Sequence, residues 1–348
     1  MKLEMFHLAP YRGLPEDFRE EYRSVWVDVP RHLFDPKKAN EYYNETLDEL
    51  VYGAEMGFDG ICVNEHHQNA YGIMPSPNLM ASVMARETRD VAIIVMGNSI
   101  ALYDPPIRVA EEFAMLDTLT GGRIVAGLMR GTPNEYITYN VNPNESRGRF
   151  EESLKLIKMV WTEKQPFGWQ GRYFQFRTIS IWPRPVQDPY PPLFMSGSSM
   201  ESGKFAADNK VGIGFAVTTL EAASKAAAYY REEAGKAGWE PTKDNVIYRM
   251  PFYLADTDDQ AVEDLKAAGA AKWKGIGVLN PDMMRVLRQT KYFSSNENRH
   301  REAQQATTEL SDRVNLGQLL IGSPETVIKQ IEKVIGKVQI FHIMRTTV

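Results

Sequence analysis

A chain of 348 residues, 43% hydrophobic and 24% charged, can bury a sizeable core and is neither disordered nor fibrous. With 40 Lys and Arg against 45 Asp and Glu, the net charge is −5; without a long basic run, this argues against nucleic-acid and anionic-membrane surfaces. The lone Cys62 excludes a disulfide framework or Cys-based metal cluster, apolar runs such as 91–96 are too short to span a bilayer, and the opening Met1-Lys2-Leu3-Glu4 does not read as a signal peptide, so the expected setting is the cytoplasm.

Short β-like runs alternate with helical patterns along the chain. Strands are expected at residues 3–8, 58–63, 91–96, 123–128, 193–196, 212–217, 246–255 and 338–344. Helices are expected at 40–56, 76–89, 106–119, 145–161, 200–209, 220–237, 258–268 and 324–335, with Gly57 closing the first of them. The run 91–96 is continuously apolar, as a strand covered on both faces must be. Eight β/α units imply a parallel sheet, and point to a (β/α)8 TIM barrel in a single domain spanning 1–348. Three irregular stretches interrupt the pattern: 11–35, 165–192 (with an expected β-hairpin) and 270–318. The first and third follow strands, so on a barrel they rise from the C-terminal rim, where active sites sit.

Glu65-His66-His67 directly follows a buried strand and places two imidazoles at that rim, where histidine serves as general acid or base or is simply held by a neighbouring carboxylate. No metal site is expected, because the His-Glu-x-x-His pattern is missing. His7 and His342 lie within strands and read as packing. The run Gly197, Ser198, Ser199, Met200, Glu201 and Ser202 joins a strand to a helix; its small residues and the helix N-terminus suit an anion, while the plainer alternative is a serine N-cap. Arg130-Gly131 after the fourth strand suits a phosphate or carboxylate. Gly97-Asn98 after the third suits a planar heterocycle, or is a plain turn. No Gly-x-Gly-x-x-Gly fingerprint and no P-loop occur. Asp117 with Thr120-Gly121-Gly122-Arg123 reads as a tight helix-to-strand turn, and Arg147, Arg149, Glu151 and Glu152 as ion pairs on one helix.

Taken in order, several of these pieces resemble the bacterial luciferase-like flavin monooxygenase superfamily. They are Gly57-Phe58-Asp59-Gly60, Glu65-His66-His67, Met74-Pro75-Ser76-Pro77, the run from Asp104 to Glu112, Leu116 to Arg123, Gly127-Leu128-Met129-Arg130-Gly131, 145–161 and Ile321-Gly322-Ser323-Pro324-Glu325. The resemblance implies a luciferase-like barrel, as a homodimer, that takes reduced FMN as co-substrate from a separate flavin reductase. It implies oxygenation of a small-molecule substrate by dioxygen through a flavin hydroperoxide. By position, His66 matches the family's catalytic histidine, Arg130 and the run Gly197 to Ser202 (Ser198, Ser199, Met200 included) match holders of the FMN phosphate, and Met129 stands beside the flavin ring. Gly97-Asn98 matches the place of a non-proline cis peptide, expected here between those two residues. The alternatives are a deazaflavin-dependent oxidoreductase of the same superfamily and a non-catalytic flavin-binding protein. Residues 270–318 are expected to order over bound flavin or substrate, and Trp26, His32 and Phe34 to line the substrate pocket. The chain stops just after the eighth strand, where the family continues into an eighth helix.

Overall fold

The structure, a computed structural model, describes residues 1–216, 218–268, 285, 289, 290, 310–340 and 342–346. The elements are, in chain order, β1 (Lys2–Phe6), α1 (Phe18–Glu21), α2 (Pro36–Glu55), β2 (Gly60–Val63), α3 (Pro77–Glu87), β3 (Ala92–Ser99), α4 (Ile107–Thr120), β4 (Ile124–Met129), α5 (Pro133–Thr138), α6 (Ser146–Thr162), β5 (Phe167–Gln170) and β6 (Gln175–Ile179). They continue with β7 (Leu193–Ser196), α7 (Met200–Asp208), β8 (Gly212–Ala216), α8 (Leu220–Lys236), β9 (Val246–Leu254), α9 (Asp258–Ala267), α10 (Leu310–Asn315), β10 (Leu320–Gly322), α11 (Pro324–Val338) and β11 (His342–Thr346). The chain divides into two compact units, one of Met1–Phe6, Phe194–Ile276 and Ser295–Val348, the other of His7–Leu193 and Gly277–Ser294.

In the second unit β2, β3 and β4 pair in parallel, Cys62 opposite Ile94 and Ile94 opposite Val125. Ile61, Cys62, Val63, Ile93, Ile94 and Val95 are all buried, because α3 and α4 cover what the neighbouring strands do not. Each such aliphatic side chain contributes about 1.5–3 kcal/mol by leaving water. In the first unit β1, β11, β9, β8 and β7 pair in parallel in that order, and the short β10 runs beside the end of β9. The expected hairpin is β5–β6, antiparallel.

Several boundaries move for identifiable reasons. Helix α2 starts four residues before 40, because Asp35 caps it, accepting from the Lys37 N–H at 2.8 Å, with Pro36 at its first position. The last helix runs to Val338, since Val327, Ile331, Val334 and Val338 form one buried stripe, and Gln339 in the left-handed region (φ 60°) ends it. The last strand therefore begins at His342, not at 338. Two of the residues expected to pair on α6, Arg149 and Glu152, make longer reaches. Arg149 donates to the carbonyls of Ala101 (3.0 Å) and Tyr103 (3.3 Å). Glu152 accepts the N–H groups of Arg172, Tyr173 and Phe174, each at 3.0 Å, closing the turn between β5 and β6. The expectation for 270–318 lies outside the described residues except at 285, 289, 290 and α10 onward.

Two buried polar groups tie this frame together. Asp117, at the end of α4, is fully buried and accepts from Val186 N (2.8 Å), Gln187 N (2.9 Å) and Gln187 Nε2 (2.7 Å), pinning the proline-rich stretch to the helix. Asp117→Ala leaves these donors without an acceptor and should lower stability by about 3 kcal/mol. A lower urea midpoint at unchanged m would register this; a loss under about 1 kcal/mol would show that water takes the carboxylate's place.

His7 accepts the Ala9 N–H on Nδ1 (2.9 Å) and holds Glu49 through Nε2 (3.1 Å). Burial, only partly opposed by Glu49, lowers its pKa from the ordinary value. A histidine with a lowered folded-state pKa binds fewer protons folded than unfolded, so its contribution is complete above the unfolded value and fades as pH falls below about 6.5. The stability advantage of the wild type over His7→Gln should therefore shrink as the pH is taken from about 8 to about 5. Parallel curves from denaturant titrations at each pH would contradict this.

Candidate active site

The second unit gathers His66, Gly97, Asn98, Met129 and Arg130 at the C-terminal ends of β2, β3 and β4. His66 follows β2 and is held at three points. Its N–H donates to the Met74 carbonyl (3.1 Å), its ring lies edge-to-face against Trp26 (centroids 4.9 Å apart), and its Nδ1 meets Glu135 Oε1 at 3.1 Å. The Glu135 side chain is fully buried, and its other oxygen accepts the Thr132 N–H at 2.7 Å. An ionised carboxylate only accepts, so Nδ1 carries the proton and Nε2 is the basic atom. Trp26 in turn stacks on Tyr71 (5.1 Å) and donates its indole N–H to the His67 carbonyl (3.1 Å).

Glu65 and His67 build a second, deeper cluster. His67 Nε2 meets Glu65 Oε1 at 3.0 Å and its Nδ1 meets the Tyr139 hydroxyl at 2.8 Å. Burial, then the charges of Glu65 and Glu135, raise the Tyr139 pKa, so it stays a hydroxyl.

Gly97 and Asn98 sit where β3 slips register against β4, between Met96 opposite Gly127 and Asn98 opposite Leu128. The cis peptide is Met96–Gly97, one bond before the expected Gly97–Asn98, so the irregularity falls on the N-terminal side of the glycine. A Cβ on Gly97 would collide with the backbone C and O of Gly127, and one on Gly127 would lie 2.9 Å from Met96 Cα. Two glycines thus let two strands touch backbone to backbone. Asn98 is buried, and its Oδ1 has no partner among the described residues. Met129 ends β4 opposite Ser99, and its carbonyl accepts the Ile100 N–H. The Arg130 carbonyl accepts the Tyr136 hydroxyl at 2.9 Å, and Gly131 follows at φ 94°.

Gly197 to Ser202 belong to the first unit. A Cβ on Gly197 would lie 2.7 Å from Ile213 Cβ, so the backbone there runs flush against β8. Ser199 is the N-cap of α7; its Oγ accepts the Ser202 N–H at 3.1 Å, and the Ser202 Oγ answers the Ser199 N–H at 3.0 Å. These two hydroxyls therefore cap the helix, the plainer of the sequence alternatives. Met200 is exposed, and the Ser198 Oγ lies 3.5 Å from that of Ser196.

The sequence reading missed Glu135 and Tyr103. Glu135 carries a signal, since Thr132-Pro133-Asn134-Glu135 has the Thr-x-x-Glu spacing of a capping box with proline at the first helical position. Of the proposed pocket residues only Trp26 reaches this cluster; Phe34 stacks on Tyr11 (5.4 Å) and His32 sits on an exposed turn. Among the described residues no group of three His, Cys, Asp or Glu could hold a metal, and no helix is long and apolar enough to cross a membrane.

The parallel β/α order, with a histidine–carboxylate pair at the strand ends, is that of an α/β protein of the barrel class. The chain belongs to the luciferase-like monooxygenase family, whose family model matches residues 23–337. Its fold is the (β/α)8 barrel, shared with the crystal structure of a monooxygenase from Streptomyces bottropensis (TM-score 0.74, 23% identity, covering 100% of this chain and 92% of that one). It is 26% identical over 245 residues to the oxygenase component of a flavin-dependent trigonelline monooxygenase from Acinetobacter baylyi, covering 68% of this chain and 66% of that protein. It is also 26% identical over 200 residues to an F420-dependent glucose-6-phosphate dehydrogenase of Microbacterium testaceum, covering 53% and 56%. The chain spans between 44% and 66% of the length of the first curated relatives it matches.

Gly97→Ala should part β3 from β4, since backbone meets backbone and neither side can give way. We expect a loss above about 3 kcal/mol. Gly57→Ala, where a Cβ meets nothing within 4 Å and only the positive φ of 88° is strained, should cost about 1 kcal/mol. Comparing melting curves of the two variants checks this; equal losses would refute the steric account.

Proposed function

We propose that this protein is the oxygenase of a two-component system, a monooxygenase that takes reduced FMN from a separate flavin reductase and uses dioxygen to oxygenate a small organic molecule. Family membership and the relative described as an oxygenase component support the reading. The observation that carries it is the buried Asn98 Oδ1, without a partner among the described residues, at the end of β3, which pairs with the strand that His66 follows. The homodimer carries over from the resemblance alone, and the cytoplasmic setting from the sequence expectation alone.

The residues fit a flavin. Gly97 lets β3 lie flush on β4 at the strand end that carries Asn98; Asn98 Oδ1 awaits an N–H donor, Met129 offers a polarisable contact, and Arg130 supplies a cation for a phosphate. Gly197, Ser198, Ser199, Met200 and Ser202 are proposed as an anion contact of their own unit; the N–H groups of Gly197, Ser199 and Ser202 already donate to Gly214 and to the cap, so those of Ser198 and Met200 would be the main-chain donors. When bound, reduced FMN supplies the electrons that activate dioxygen. His66 then accepts or returns a proton at Nε2, while Glu135 keeps Nδ1 protonated and stabilises the imidazolium. Trp26 and Tyr71 cover the ring of His66 and keep water from its flank.

The relative that uses F420 favours a second reading, hydride transfer with a deazaflavin and no oxygen. Anaerobic titration with photoreduced FMN, and in parallel with reduced F420, followed by mixing with oxygen, separates the two. We expect FMN to bind, and its oxidation on the protein to differ in rate from that of free reduced FMN. Binding of F420 with no binding of FMN would select the second reading.

For His66→Asn, oxygenation should fall at least about 100-fold with FMN affinity near that of the wild type. Equal loss of both would reassign His66 to binding or folding. For Arg130→Ala, FMN affinity should fall about tenfold or more; unchanged affinity in the same titration would remove Arg130 from the phosphate site.

A further inference from the structure

The Glu65 carboxylate is fully buried and takes four donors. Oε1 accepts from His67 Nε2 (3.0 Å) and from the Ser99 N–H (3.2 Å); Oε2 accepts from the Tyr103 hydroxyl (2.8 Å) and from Asn98 Nδ2 (2.9 Å). The main-chain N–H of Ser99 can only donate. Tyr103 stays a donor because burial, then the charge of Glu65, pushes its pKa far up. Asn98 is the partner with a choice, for its side-chain amide presents either nitrogen or oxygen. A carboxylate has nothing to donate, so the nitrogen must face Glu65 and the oxygen must face away.

That orientation has a visible cost. Asn98 is 1% exposed, and its Oδ1 meets no donor among the described residues. A buried carbonyl oxygen left unpaired is destabilising, and a flipped amide would only exchange one unmet group for a worse contact with the carboxylate. Asn98 directly follows Gly97, where the backbone of Gly127 leaves no space for a side chain. An acceptor held in place with no donor of its own calls for a ligand that brings one.

We propose that Glu65 is a positioning residue that locks Asn98 as a hydrogen-bond acceptor, and that the ligand presents a ring N–H to Asn98 Oδ1. The inference rests on the flavin reading for the identity of the ring. Reduced FMN carries such N–H groups at N3 and N5; an N3-methyl flavin loses the first, and a reduced 5-deaza flavin loses the second.

The lock is tested without ligand by NMR of the Asn98 side-chain amide. In the wild type its Nδ2 protons should be shifted downfield and exchange slowly; in Glu65→Gln this signature should be lost, and in Tyr103→Phe, which spares the Glu65–Asn98 bond, it should persist. An amide signal indifferent to Glu65→Gln overturns the lock. The ligand is tested by anaerobic titration with reduced FMN, N3-methyl-FMN and 5-deaza-FMN. The wild type should bind one analogue at least about tenfold more weakly than FMN, and Asn98→Ala should bind all three alike. Glu65→Gln should narrow the gap to less than about threefold. Equal affinities in the wild type, or an undiminished gap in Asn98→Ala, overturn the acceptor role even if Glu65→Gln does not fold. A wild type that binds none of the three refutes the flavin reading and the ring N–H with it, while the amide signal still decides the lock.

Discussion

The buried negative charge of Glu65 is the constraint on which the site depends. An ionised carboxylate taken out of water costs several kcal/mol unless its oxygens are filled. Here they are filled by groups from separate segments: His67 from its own loop, Ser99, Asn98 and Tyr103 from the end of β3 and the turn beyond it. His67 extends the network to Tyr139 at the end of α5. Moving any of these segments alone would uncover the charge. The strand ends are therefore fixed relative to one another by electrostatics as much as by packing. Glu135 repeats the device one layer out, with its two oxygens divided between Thr132 N–H and His66.

The parts of this arrangement that follow from local rules were legible in the sequence. Apolar runs such as Ile93-Ile94-Val95 are continuous because both faces of a parallel strand are covered, and that alone conveys the β/α alternation. The ends of helices were less legible where a cap outweighed periodicity, as with Asp35 and Pro36, or where a buried stripe ran on through Val338. His66 and Asn98 could be picked out because each follows a buried strand. Glu135 could not be joined to His66, since 69 positions separate them and only the tertiary fold brings them within 3.1 Å.

Charged residues misled for the same reason. Arg149 and Glu152 have helical spacing suited to mutual pairing, but each finds backbone groups outside its helix. Backbone donors and acceptors of loops and turns have few other partners, so a long side chain that reaches them satisfies a group that would otherwise lie buried and unmet. The serines at 199 and 202 show the converse. Their spacing fits both an anion cradle and a capping box, and in the folded chain each fills the other's need.

The shared carboxylate of Glu135 has a consequence for how such a protein can change over generations. One oxygen closes the first turn of α5, and the other holds the imidazole of His66. The loop after β4 is thus no neutral ground on which length and sequence can drift while the chemistry stays put. A lineage that remodels this loop to admit a new substrate must keep the acidic residue three places after the N-cap, or find another anion for the imidazole. Local helix formation and the setting of the His66 imidazole are inherited together.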